Sequence, residues 1–182
     1  PLAEGSKAEM KNSQHGSAFG WKFIEVCETK QEAFKDHAIP GTIEAEDFDA
    51  GCPGDAYYDR DEVNQGGLYR PGEGVDIDAS AAGGYALGWT RAGEWVAYTV
   101  NVDKSATYRI SFYVASSYDS GKLHLECDGS DKTGIMVVPN TAGFQNWTVV
   151  EKAIELDASQ HVLKLVVDGD LLNLDKMVLE EL

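Results

Sequence analysis

From Ile43 to Leu182 apolar and polar residues alternate with a period of two nearly everywhere. The stretches "TIEAEDF", "GVDIDAS", "EWVAYTVNV", "TYRISFYVAS", "GKLHLECDG", "GIMVVP", "NWTVVEKAIEL", "HVLKLVVDG" and "LNLDKMVLEEL" read as short strands. Successive side chains on a strand point to opposite faces, so such alternation marks strands with one buried side. Gly, Asp, Asn, Ser and Pro clusters separate the runs and supply turns. No segment of this region carries a sustained helical period, which removes the crossover helices that a parallel α/β sheet requires. The pattern predicts an all-β fold, a jelly-roll β-sandwich of two antiparallel sheets.

Two stretches break the rhythm. Residues 1–38 contain one strand-like run, "GWKFIEV", and "KQEAFKD", which suits a short helical turn before "IPG". A single strand cannot bury its own face. Residues 1–38 therefore read as a short N-terminal extension, a linker or the tail of an upstream module, with the sandwich over 39–182. The second break is the polar connection 49–74, which carries Tyr57, Tyr58 and Tyr69. Connections this long are uncommon in compact domains and tend to be functional. Its tyrosines are expected mainly to pin it to the sandwich, with contact to a ligand as the alternative.

Length and composition narrow the picture. The 182 residues give room for one domain with an appendage, and no apolar run approaches the ~18 needed for a membrane helix. The chain has 31 Asp plus Glu against 15 Lys plus Arg, a net charge of −16. That surface repels phosphate backbones, anionic lipids and strongly anionic glycans, so nucleic-acid and membrane partners are not expected. A neutral ligand or a cation suits it. Cys27, Cys52 and Cys127 are too few and scattered for a disulfide scaffold or a zinc site; three free thiols are expected, with one closed pair and an odd thiol as the alternative.

Catalytic motifs are absent: there is no nucleophile elbow, phosphate loop or HExxH. Carboxylates abound, but none stands in a recognisable catalytic pair, and no enzyme is predicted. "IEAEDF" places Glu44 and Glu46 on one face of a first strand, and "LNLDKM" offers Asp175 on a last one. If these strands pair, three carboxylates converge on a hard cation such as calcium; spacing alone favours three solvated acids. Trp89 and Phe144 sit among glycines and small polar residues at loop edges, whereas Trp95 and Trp147 enter alternating strands and suit the core. Exposed rings grip the apolar faces of pyranose sugars while amides bond the hydroxyls. Asn173, on the same face as Asp175 by number, would supply such an amide.

From about Thr42 to Leu182 the chain resembles the family 6 carbohydrate-binding modules. The resemblance rests on "IEAEDF", "AYYDRDEVNQGGLYR", "GVDID", "GGYALGWTRAGEWVAYTVNV", "VPNTAGFQNWTVV", "QHVLKLVVD" and "LNLDKM", in that order. It implies a non-catalytic, lectin-like module appended to a polysaccharide-degrading enzyme. Such a module would be extracellular or at a cell surface, bacterial and monomeric. Its ligand would be a neutral polysaccharide of the xylan, β-glucan or agarose type. The family's loop cleft falls on Trp89, Phe144 and Asn173, with Phe144 standing where tryptophan is usual and Tyr69 a further candidate. Trp95 matches an aromatic of a second site on the concave sheet face. The family's structural calcium carries over to Glu44, Glu46 and Asp175. Lys176 stands where tryptophan is frequent.

Overall fold

The computed structural model describes residues 7–11, 22–27 and 29–182. Two sheets form the sandwich. One runs in the order Ser130–Asp131, Lys122–Cys127, Gln160–Gly169, Trp95–Val102, His37–Ile39, with Met136–Val137 and Tyr57–Tyr58 pairing from the side. The other runs Thr148–Leu156, Ala106–Ala115, Asn173–Glu181, Tyr85–Leu87, Ile77–Ala79, with Gly41–Glu44 pairing on Asn173–Glu181. Among the described residues, every ladder between these strands is antiparallel except that of His37–Ile39 with Trp95–Val102. A separate two-stranded ladder joins Lys7–Lys11 to Lys22–Val26, within the run expected as a strand.

The period-two pattern fills the space between the sheets. On Ala106–Ala115, Tyr108, Ile110, Phe112 and Val114 are fully buried. Tyr98, Leu123, Leu125, Leu163 and Leu165 meet them from the facing sheet. Each large side chain so buried is worth about 1.5–3 kcal/mol against exposure, which makes the strand register costly to shift.

Three departures from alternation matter. The first strand ends at Glu44, and Ala45–Asp47 turn as a 3-10 segment with all three residues buried. Glu44 and Glu46 therefore do not share one strand face. On the last strand the register slips between Leu174 and Lys176: Leu174 faces Val114 and Lys176 faces Tyr113. Asp175 is the extra, bulged residue and is itself buried, so Asn173 and Asp175 do not share a face as two residues of a regular strand would. First and last strands do pair, Lys176 opposite Glu44 and Met177 opposite Ile43.

The third departure lies in the segment expected to be an extension. Its boundary at residue 38 cuts through the strand His37–Ile39, which belongs to the sandwich. In place of a helical turn over "KQEAFKD", Glu32 and Ala50 exchange two backbone hydrogen bonds of 2.9 Å. Gln31 bonds Asp49 and Lys35 bonds Asp47, so the segment runs antiparallel along 47–52. That alignment sets Cys27 against Cys52, and the two form a disulfide, where free thiols were expected. Cys127 alone is a free, buried thiol.

Candidate functional site

A groove of about 230 Å³ opens among the loops at one edge of the sandwich, lined by Asp78, Ala86, Gly88, Trp89, Phe144, Gln145, Leu171 and Asn173. It brings together Trp89, Phe144 and Asn173, far apart in sequence. Trp89 follows the short strand Tyr85–Leu87 and remains 45% exposed. Its φ of +47° puts an aromatic residue in the left-handed region, as does Leu171 with φ +65°. Such backbone costs of order 1–3 kcal/mol and persists only where surrounding contacts impose it. Here Thr90 imposes it. Its hydroxyl donates to the Leu172 carbonyl at 2.7 Å, and its own carbonyl accepts the Leu171 N–H at 2.9 Å.

The opposite wall is fixed as firmly. Gln145 accepts from the Ala81 N–H and donates to the Ala79 carbonyl, tying the loop that carries Phe144 to the end of Ile77–Ala79. Asn173 Nδ2 donates to the Phe144 carbonyl at 2.9 Å. One N–H and the acceptor Oδ1 of that amide have no hydrogen-bond partner among the described residues. The backbone of Gly88 lies against the amide, and a Cβ at that position would come within 3.2 Å of Asn173 Oδ1. Glycine thus admits the close approach of amide and Trp89 turn.

The remaining candidates lie elsewhere. Tyr69 is no part of this groove: its hydroxyl donates to Asp47 at 2.7 Å and its ring packs between Phe34 and Tyr85. It pins the long connection, helped by Arg70, whose buried guanidinium covers the Phe48 ring and bonds the Phe48 and Asp49 carbonyls. Trp95 stands half-buried on the outer sheet face, with Lys164 Nζ 4.4 Å over its ring. Trp95 does not line the loop groove. Trp147 is half-buried, and its buried indole nitrogen has no partner.

The predicted metal ligands cluster around the paired first and last strands. Glu46 Oε2 is buried without a hydrogen-bond partner, and burial pushes its carboxyl up to about 7. Burial also raises Glu44. Asp175 accepts the Ser80 hydroxyl at 2.5 Å and has Lys176 Nζ 3.8 Å away. An orphaned carboxylate oxygen among further acids fits a hard cation in donor chemistry, although the three carboxylates do not close within 4.8 Å of one another. Among the described residues the group that does is Cys127, Asp128 and His161. There His161 Nδ1 meets Asp128 at 2.6 Å and Nε2 meets the Asp157 carbonyl at 2.8 Å, so both ring nitrogens are engaged.

Residues 66–181 match the family model "Carbohydrate binding module (family 6)". The chain is 27% identical over 127 residues to the clotting factor G alpha subunit of Tachypleus tridentatus, covering 69% of this chain and 17% of that protein. It superposes on the C-terminal family 6 module of a marine laminarinase from Zobellia galactanivorans with a TM-score of 0.61 and 26% identity, covering 78% of this chain and 98% of that one. A carbohydrate-binding module of Cellvibrio mixtus lichenase 5A, solved with cellotriose, gives a TM-score of 0.60 and 25% identity, covering 79% and 98%. The chain spans less than a fifth of the length of the curated relatives it matches.

Proposed function

The chain belongs to the family 6 carbohydrate-binding modules, a non-catalytic, sugar-binding family, and from that premise we propose that the loop groove is its binding site. The observation that carries the reading is the half-exposed Trp89, held in a strained turn beside Asn173 and across from Phe144. An indole fixed before the ligand arrives stacks on a pyranose face without a further ordering cost. The free N–H and Oδ1 of Asn173 then bond hydroxyls at the ring edge. The smaller Phe144 ring forms the facing wall.

The ligand is a neutral polysaccharide of the β-glucan, xylan or agarose type. The groove's one charged residue is Asp78, and the chain is strongly acidic overall, so uronate and sulfate groups would be repelled. Support for a β-glucan comes from the laminarinase module and from the module solved with cellotriose. The module would hold a covalently linked glycoside hydrolase near its substrate, raising its local concentration even at modest affinity. The Cys27–Cys52 disulfide suits an extracellular setting.

Calcium is proposed at Glu46, Asp175 and Glu44, where it would neutralise buried acids and tie the paired first and last strands together. The function is tested by affinity electrophoresis in gels containing laminarin, xylan, hydroxyethylcellulose or agarose. Retardation by at least one, absent with alginate or polygalacturonate, supports it. Equal mobility in every gel contradicts it.

A further inference from the structure

Beyond Phe144 stands a ring outside every family motif in the sequence. Tyr118, on the loop after Ala106–Ala115, is 52% exposed, and its ring centroid lies 6.0 Å from that of Phe144 at an angle of 52°. No hydrogen bond engages its hydroxyl among the described residues. Single exposed rings are common at protein surfaces, but this one lies beside Phe144 and continues its aromatic wall.

Its loop is not free to drift. Ser116 Oγ accepts the Tyr118 N–H at 3.1 Å and lies 2.6 Å from the carbonyl of Leu171, a groove residue. The Thr141 N–H donates to the Ser116 carbonyl at 2.7 Å, while Thr141 Oγ1 accepts the Ser116 N–H at 3.1 Å. Ser120 Oγ donates to the Asp170 carbonyl at 2.8 Å. The Tyr118 loop is thus bonded to both loops that shape the groove, the one bearing Phe144 and the one leading to Asn173. A ring held in this way is a preorganised surface.

Resting on the proposed sugar-binding groove, we infer that Tyr118 forms an additional subsite. It receives the next unit of a polysaccharide chain whose neighbouring unit lies between Trp89 and Phe144. The ring offers an apolar face to the sugar's C–H groups and an unengaged hydroxyl to its edge. Phe144 leaves a shorter wall than an indole would, and Tyr118 lengthens it. The site therefore recognises a chain rather than a single sugar.

The experiment is calorimetric titration of the parent, Tyr118→Ala, Tyr118→Phe and Trp89→Ala. The titrants are β-1,3-gluco-, cello-, xylo- and agaro-oligosaccharides of increasing length. Tyr118→Gln serves if the alanine variant melts early. For the series that binds, parent affinity should climb with length. Tyr118→Ala should lose about three- to tenfold on the longer members and nothing on the shortest, with Tyr118→Phe keeping most of the gain. If Trp89→Ala abolishes binding while Tyr118→Ala and Tyr118→Gln follow the parent at every length, the subsite is overturned and the groove stands. If Trp89→Ala binds like the parent, or the parent binds no series, the groove falls and the subsite with it.

Discussion

Asn173 Nδ2 and the carbonyl oxygen of Phe144 are joined by a 2.9 Å hydrogen bond across the base of the groove. The amide expected only to touch a sugar therefore also sets the position of the facing wall. A residue with both duties should affect binding twice, once through its own contact and once through the loop.

Asn173→Ala removes a hydrogen bond worth about 0.5–1.5 kcal/mol and strands the Phe144 carbonyl. Affinity for the bound oligosaccharide should fall about tenfold, with the melting temperature little changed. Asn173→Asp, which loses the donor but keeps the shape, should fall as far. A titration showing parental affinity for the aspartate variant would contradict the double role.

Phe144→Trp restores a larger stacking face. Binding should strengthen or stay level, because the Phe144 loop is held by Gln145 and Asn173 rather than by the ring itself. Weaker binding in a correctly folded variant would show that the wall has no room for an indole beside Tyr118.

The metal-free protein should grow more stable as pH falls from about 8 toward 5. Burial pushes Glu46 and Glu94 up to about 7 and Asp76 to about 6, whereas in an unfolded chain such groups ionise near 4. Between these values the folded state binds protons that the unfolded state has released, so acidification favours folding. Calcium at the proposed site would reverse the trend, since it needs Glu46 ionised. Chelator should lower the melting temperature more at pH 8 than at pH 5.5. A chelator effect of the same size at both, or none, would contradict the site.

A chain beginning at Cys27 should melt like the longer one, whereas one beginning at residue 39 loses the disulfide, the Glu32–Ala50 pair and the strand His37–Ile39. Replacing both Cys27 and Cys52 by serine should by itself cost about 3 kcal/mol, the usual effect for a loop of this length. Sugar affinity should be unchanged in that variant, because the groove is built from other loops. An unchanged unfolding midpoint in denaturant would refute it.

The sandwich was legible because alternation over 43–182 is a direct record of which side chains face inward. Trp89 was legible because glycines leave no core for it to enter. What escaped the sequence depends on local breaks in period. The bulge at Asp175 and the 3-10 turn at Ala45–Asp47 keep an ordinary-looking strand sequence while re-aiming the carboxylates. The Cys27–Cys52 pairing needed the antiparallel run of 29–36 along 47–52, fixed by backbone bonds that any sequence can make. Tyr118 sits in a polar loop, "SSYDSG", and gains meaning only from its distance to Phe144. Its exposed neighbours gave a faint signal, an aromatic among turn residues like Trp89.

The measurement closest to the central claim compares Trp89→Ala with Trp95→Ala by calorimetric titration against the oligosaccharide that retards best in the gel screen. The two indoles stand on different surfaces, Trp89 at the groove of about 230 Å³ and Trp95 beneath Lys164. Trp89→Ala should abolish detectable binding and Trp95→Ala should leave it near the parent, both with parental melting curves. Full binding by Trp89→Ala together with loss in Trp95→Ala would move the sugar to the outer sheet face and contradict the account.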